Sequence, residues 1–186
     1  MISDEALIIE FQRGSREAFD ELFARYREPL YGFFRRRLAT KDRAEDLAQE
    51  TFLAVIRAAV RYEPRATVKT YLYGIALKLL AAERRKLSGN EPQIDDDHEP
   101  AEDSPSDNEL WVRQALEKLD SSEREILMLR EYEQLNYAEI GELLRLPVNT
   151  VRSRLFRARM ELKSFLEPKR KAQSRTRSSA QGEAKS

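Results

Sequence analysis

The chain has 186 residues, with 33 basic and 33 acidic side chains, 41% hydrophobic residues, one His and no Cys. This length suits one or two small domains, and the composition excludes a disulfide framework, Cys-ligated zinc or iron–sulfur sites and an imidazole metal cluster, so no cofactor is expected. Charges interrupt every apolar stretch and the N-terminus lacks the order of a secretory signal, which predicts a cytoplasmic protein without membrane insertion.

The charges are unevenly distributed along the chain. Residues 88–109 carry nine acidic and no basic side chains, together with Gly89, Pro92, Pro100 and Pro105. Such a segment buries too little apolar surface to become ordered, so we predict a flexible acidic linker. Residues 168–186 carry six basic and one acidic side chain and predict a disordered basic tail. Two domains remain, over residues 1–87 and 110–167.

The first domain is predicted to be all-α, because its apolar residues recur three and four positions apart. Residues 18–34 predict a helical hairpin bent near Pro29. Thr40 is placed to cap a helix over residues 42–60, and Pro64 separates it from a helix over residues 68–86.

The helix over residues 42–60 carries acidic and polar side chains within a narrow arc, at Asp42, Glu45, Asp46 and Gln49, with Leu53 among them. Two interpretations are open: an ordinary solvated face, or a docking surface whose acids attract a basic partner while Leu53 supplies an apolar contact. A catalytic pair of carboxylates has no supporting base or second acidic cluster.

The segment from residue 61 to 86 interleaves cations with tyrosines. Aromatic faces beside cations bind unstacked bases, which predicts a single-strand nucleic-acid surface, although some of these Tyr would pack under the apolar stripe of Leu72, Ile75, Ala76 and Leu79. The candidates for this surface are Arg65, Thr67, Lys69, Tyr71, Tyr73, Lys78, Arg84 and Arg85.

The sequence of the second domain predicts four shorter helices, over residues 110–119, 123–132, 137–144 and 148–166. Ser122 with Glu125, and Asn136 with Glu139, have the spacing of a capping box. The last two helices and their tight connection are typical of a helix-turn-helix. On the final helix the predicted inward stripe is Val148, Val151, Leu155, Ala158 and Leu162. The predicted outward residues are Asn149, Arg152, Ser153, Phe156 and Arg157, with Arg154 and Arg159 at the flanks. Arg, Asn and Phe suit base contacts in the major groove, and flanking Arg suits phosphate, whereas a merely solvated basic face is the other interpretation.

Three blocks in this order resemble the extracytoplasmic-function (ECF) group of bacterial sigma factors over about residues 15–166. Residues 46–52 (DLAQETF) resemble the polymerase-binding segment, and residues 71–76 (YLYGIA) followed by 84–86 (RRK) resemble the promoter-melting segment. Residues 119–131 and 147–159 resemble the region that reads the minus-thirty-five element. The chain departs from the family pattern at several positions. Leu77 and Lys78 replace the usual Arg and Asn, and Ala82 replaces the usual Asp. Tyr71 replaces the usual Trp, and Arg145 stands where the turn often has Gly.

The resemblance implies a non-enzymatic promoter-specificity subunit whose partners are core RNA polymerase, promoter DNA and an anti-sigma factor, with no small-molecule substrate. Asp46, Gln49 and Glu50 would belong to the docking helix, with Phe52 packed beneath it. The segment 61–86 would bind opened minus-ten strand, and Arg152, Ser153, Phe156 and Arg157 would face minus-thirty-five DNA. The main alternative is a helix-turn-helix regulator that acts without polymerase; a nucleic-acid enzyme ranks last.

Overall fold

The computed structural model describes residues 2–63, 66–89 and 107–167, and these residues contain helices and no strand. The eight α-helices are α1 (Asp4–Gln12), α2 (Arg16–Arg35), α3 (Lys41–Ala58), α4 (Val68–Gly89), α5 (Asp107–Glu117), α6 (Ser121–Glu131), α7 (Tyr137–Leu144) and α8 (Val148–Leu166), and a 3₁₀ turn at Ala59–Arg61 follows α3. The all-α expectation is confirmed. We refer to α1–α4 as the N-terminal group and to α5–α8 as the C-terminal group.

Helix α1, which the sequence patterns did not predict, holds the N-terminal group together. It buries Leu7 and Ile8. Its Glu5 carboxylate accepts a hydrogen bond from the backbone N–H of Val68 at 3.2 Å and so caps the start of α4. The Gln12 amide donates to the carbonyl oxygens of Ala59 and Tyr62 at 2.6 and 2.9 Å, which fixes the turn after α3.

The predicted hairpin at Pro29 is wrong, because α2 continues through this proline to Arg35. Proline removes one helical hydrogen bond, but the buried stripe of Leu22, Tyr26, Leu30 and Phe33 runs along both halves of the helix and keeps it against the core. Tertiary packing therefore overrides the local signal of the proline.

Helices α3 and α4 complete this core close to their predicted positions. Thr40 occupies the N-cap position of α3, but its side chain makes no capping hydrogen bond, so the predicted cap is wrong as an interaction. The buried stripe of α4 consists of Val68, Leu72, Ala76 and Leu80, whereas Ile75 and Leu79 are half-buried. Helix α4 extends to Gly89 and α5 begins at Asp107, so both helices enter the predicted linker at its edges. Residues 90–106 and the predicted tail at 168–186 lie outside the described residues.

In the C-terminal group one predicted cap is right and one is wrong. Asn136 and Glu139 form a reciprocal capping box at the start of α7, with bonds of 2.9 and 2.7 Å. Asp120 is instead the N-cap of α6, and its carboxylate accepts from the backbone N–H of Ser122, so Ser122 and Glu125 do not form a box. Hydrogen bonds from the Ser122 side chain and backbone lower the pKa of Asp120.

The connection between α7 and α8 is tight. Arg145 adopts the left-handed conformation, with φ of 55°, where the sequence suggested a position suited to glycine. Gly141 allows the chain to turn back, because a Cβ at this position would lie 2.7 Å from the carbonyl oxygen of Leu146. The Leu146 N–H donates to the Gly141 carbonyl at 2.8 Å and closes the turn.

Candidate protein-docking and nucleic-acid surfaces

The acidic arc of α3 lies on the surface. Asp42, Glu45, Asp46 and Gln49 are exposed, Leu53 keeps 49% of its surface exposed, and Glu50 is half-buried. The opposite side of the helix packs into the core through Leu47, Thr51, Phe52 and Val55, which are all buried. The helix is therefore amphipathic, as its pattern predicts, and Phe52 is packed as expected.

The arc continues further along the chain than the sequence analysis recognised. Ile56 is 40% exposed and Val60, in the 3₁₀ turn, is 83% exposed. These residues follow Leu53 at spacings of three and four, so they extend one face of the helix. We name this face the α3 stripe: it consists of Asp42, Asp46, Gln49, Leu53, Ile56 and Val60. It is acidic at its N-terminal half and apolar at its C-terminal half.

An ion pair that the sequence analysis missed fixes the stripe to the rest of the N-terminal group. The guanidinium of Arg43 donates two hydrogen bonds to the carboxylate of Glu83 on α4, each 2.7 Å long. These bonds lower the pKa of Glu83, with the hydrogen bond from Arg43 as the largest cause. Arg43 also lies 3.4 Å from Asp46 and 3.5 Å from Glu50. It thus holds α3 on α4 while partly balancing the acids beside the stripe.

The basic and aromatic segment is only partly available in this conformation. Lys78, Arg84 and Arg85 on α4 are exposed, Thr67 is exposed, Lys69 is half-buried, and Arg65 lies outside the described residues. Tyr73 is 2% exposed, with its ring centroid 5.5 Å from that of Phe33. Burial is the main cause of its raised pKa. Tyr73 is therefore not available for base stacking here.

Tyr62 and Tyr71 also pack inward. Tyr62 is 7% exposed and donates its hydroxyl to the Ala66 carbonyl at 2.8 Å, and its ring lies 5.2 Å from that of Tyr71. The Tyr71 side chain is half-buried, and its buried hydroxyl has no hydrogen-bond partner among the described residues. Some of these tyrosines were expected to be structural, and in this conformation Tyr62, Tyr71 and Tyr73 all pack against neighbouring residues.

Helix α8 presents the outward face that its periodicity predicts. Val151, Leu155 and Ala158 are buried against the other helices of the C-terminal group, while Leu162 is half-buried and Val148 is 41% exposed. Val148, the first residue of the helix, is exposed, so its predicted burial is wrong. The predicted outward residues are all exposed, namely Asn149, Arg152, Ser153, Phe156 and Arg157, and Arg154 at the flank is half-buried.

Two of these arginines are held by side chains of the same group, one by a carboxylate and one by an amide. The Arg157 guanidinium donates to Glu123 at 2.8 Å while remaining 60% exposed, and Arg152 donates to Asn149 at 3.4 Å. Phe156, 66% exposed, lies beside them. The arrangement presents one aromatic and two cationic side chains on one side of a helix-turn-helix, which suits insertion into a major groove.

No helix in the described part of the chain is long and apolar enough to cross a bilayer. The family described as Sigma-70 region 2 matches residues 22–89, and the family described as Sigma-70, region 4 matches residues 109–162. The chain is 32% identical to the RNA polymerase sigma-H factor of Pseudomonas aeruginosa, covering 89% of this chain and 94% of that protein. It is 30% identical to the ECF RNA polymerase sigma-E factor of Haemophilus influenzae, covering 90% of this chain and 97% of that protein.

Two solved structures have a fold similar to that of this chain. The structure of CnrH in complex with the cytosolic domain of CnrY matches with a TM-score of 0.67 at 25% identity, covering 88% of this chain and 96% of CnrH. The sigma factor RpoE of Bartonella quintana, solved with the anti-sigma factor NepR, has the same fold, with a TM-score of 0.65 at 23% identity over 82% of this chain and 98% of that one.

Proposed function

The chain belongs to the sigma-70 family, as an ECF factor that binds core RNA polymerase and directs promoter-specific transcription initiation, and we propose how its surfaces divide this work. The observation that carries the proposal is that both conserved regions match, each on a separate group of helices, and each group presents a distinct exposed face. The stand-alone regulator is not favoured, because it would leave the region 2 match over residues 22–89 without a role.

The α3 stripe, with Glu45 and Glu50 beside it, docks on the polymerase. Its acidic half attracts a basic surface at long range, and its apolar half supplies the area that is buried on contact. Arg43 and Glu83 keep the stripe in place through the pair of 2.7 Å hydrogen bonds. This division between a charged and an apolar half predicts salt-sensitive association and a slow dissociation that depends on Leu53 and its apolar neighbours.

The outward face of α8 reads the minus-thirty-five element as duplex DNA. Arg152 and Arg157 are the candidates for base edges, and Arg154 at the flank is the candidate for phosphate. The segment 61–86 binds the opened minus-ten strand with its cations and with tyrosines that are packed in the free chain. The division into domains remains a prediction: residues 1–87 and 110–167 as the two domains, 88–109 as the linker and 168–186 as a basic tail.

The chain itself is proposed to have no catalytic activity, since its role is to direct the polymerase. An anti-sigma partner is proposed for it as well, because RpoE of Bartonella quintana, which shares its fold, is solved in complex with the anti-sigma factor NepR.

Run-off transcription tests the proposal. Purified chain added to core polymerase should direct initiation at a defined promoter, and Asp46→Arg should impair polymerase association without unfolding the chain, since Asp46 is exposed and its ion pair with Arg43 is long. The matched control is Asp20→Arg, a similar charge reversal at an exposed position on α2. Unchanged transcription starts, with the chain binding duplex DNA alone, would contradict the proposal.

A further inference from the structure

One guanidinium on α3 lies between two sets of acids. The Nε and Nη2 atoms of Arg43 donate to the two carboxylate oxygens of Glu83 on α4, at 2.7 Å each. The remaining nitrogen, Nη1, lies 3.4 Å from Asp46 and 3.5 Å from Glu50, which are on the same helix as Arg43. The guanidinium is thus shared between a close acid on the neighbouring helix and two more distant acids of the proposed docking surface.

Burial explains why Glu83 holds this guanidinium. The side chain of Glu83 is 10% exposed, whereas those of Asp46 and Glu50 are 61% and 45% exposed. A buried carboxylate that loses its cation is not compensated by water, so Glu83 gains more from the pairing than the solvated acids do. The pKa of Arg43 is raised, and the hydrogen bond to Glu83 is the largest cause, ahead of Glu50 and Asp46. The fold therefore directs Arg43 toward α4.

Arg43 has other partners available within α3. Asp46 follows it by three positions and Glu50 by seven, so the three side chains lie on one side of the helix. Oppositely charged residues at such spacing form ion pairs on helix surfaces. If Glu83 did not hold the guanidinium, it would turn to these acids and neutralise a charge that the docking surface presents.

We propose that Glu83 is a positioning residue for polymerase docking: it holds Arg43 on α4 and so keeps the charges of Asp46 and Glu50 available to a basic surface of polymerase. The proposal rests on the docking function proposed above for the α3 stripe. It gives an electrostatic role to a residue on another helix that is too buried to contact polymerase itself.

This role differs from merely fixing α3 against α4. If the pair only fixed the helix, loss of Arg43, of Glu83 or of both would weaken docking. If Glu83 acts by withholding Arg43, loss of Glu83 weakens docking, but loss of Arg43 leaves the acids fully charged and does not weaken it. Removing both members therefore separates the two roles.

Titration of the labelled full chain with core polymerase measures the effect. Glu83→Gln should raise Kd about 2- to 5-fold at low salt, the size expected when one exposed acid is neutralised by an ion pair. Arg43→Gln, and Arg43→Gln combined with Glu83→Gln, should bind at least as tightly as wild type. Because salt screens charges, the difference between Glu83→Gln and wild type should shrink as the salt concentration rises from about 0.05 M to about 0.5 M.

Asp4→Asn is the matched control. The carboxylate of Asp4 on α1 pairs with Arg25 on α2 at 2.6 Å, and Arg25 also pairs with Glu21 on its own helix at 3.0 Å. The control thus removes a cross-helix acid and leaves an arginine to an acid of its own helix, as Glu83→Gln does, but none of these residues belongs to the α3 stripe. Its Kd should equal that of wild type, and a loss as large as that of Glu83→Gln would overturn the proposal.

Circular dichroism shows whether each variant is folded, because each single substitution in the pair removes the partner of a buried or half-buried group. If a single variant is unfolded, the double variant decides, since it leaves no lone buried charge: binding at least as tight as wild type supports the proposal, and weaker binding overturns it. A folded Glu83→Gln chain with wild-type affinity would also overturn it, while leaving the proposed function intact. Failure of the wild-type chain to bind polymerase would instead refute the docking function and this proposal with it.

Discussion

Leu53→Ala tests whether the apolar half of the α3 stripe contacts polymerase. Full burial of a leucine side chain is worth about 1.5–3 kcal/mol. Leu53 is 49% exposed in the free chain, so docking can bury about half of its surface. We therefore expect the substitution to weaken polymerase binding by about 0.7–1.5 kcal/mol, which is about a 3- to 12-fold rise in Kd.

The assay is a titration of the labelled full chain with core polymerase in the absence of promoter DNA. The free energy of unfolding should change by less than about 0.5 kcal/mol, because Leu53 faces solvent. The matched control is Leu87→Ala near the end of α4, where the side chain is 63% exposed and is not part of the α3 stripe. Equal affinity of the Leu53→Ala and wild-type chains, or an equal loss in the control, would refute the assignment of this contact.

Three further outcomes are expected. Arg157→Ala should weaken use of the cognate promoter by about 1–3 kcal/mol in run-off transcription and relax preference at one minus-thirty-five position; an equal loss on every promoter variant would instead indicate a phosphate contact. Gly141→Ala should destabilise the chain by about 1–3 kcal/mol in thermal unfolding, because the new Cβ would lie 2.7 Å from the Leu146 carbonyl oxygen, and an unchanged Tm would contradict this. The pKa of Glu83 is lowered in the folded chain. Its pairing with Arg43 therefore contributes its full stabilisation of the fold at pH values above the usual pKa of 4.5, and this contribution is lost as the pH falls through the lowered pKa. Glu83→Gln should cost about 1.5–3 kcal/mol at pH 7 and flatten the loss of Tm below pH 4.5, and parallel Tm profiles would rule this out.

Helices α7 and α8 of the C-terminal group were predictable from local chemistry. The Asn136–Glu139 capping box and the regular apolar spacing on α8 are both written within a few residues of sequence. Helix α1 escaped prediction because its apolar residues form the continuous run Ala6–Ile9, which carries no clear helical period. The hairpin at Pro29 failed for the opposite reason, since packing on both sides of the proline outweighs its local effect.

Features of the candidate surfaces that lie on a single helix were predictable from the sequence. Contacts that join two helices were not. Exposure of the α3 acids and of the outward face of α8 follows from periodicity alone. The pair of Arg43 with Glu83 joins residues 40 positions apart, and that of Arg37 with Glu125 joins residues 88 positions apart. No local pattern selects these partners from the 33 acids and 33 basic residues of the chain. Tertiary packing decides them, and it also decides the burial of Tyr73.

Acids of the chain itself pair with the arginines that DNA would need. Arg157 is held by Glu123 at 2.8 Å, and Arg159 by Glu131 at 2.6 Å. DNA must therefore exchange one anionic partner for another, which reduces the net gain from each contact. The same pairing restrains the Arg157 guanidinium, so less side-chain entropy is lost when a base replaces the carboxylate. Pairing of this kind should lower the affinity for DNA, and we expect tight promoter binding to depend on the second attachment proposed for the α3 stripe on polymerase.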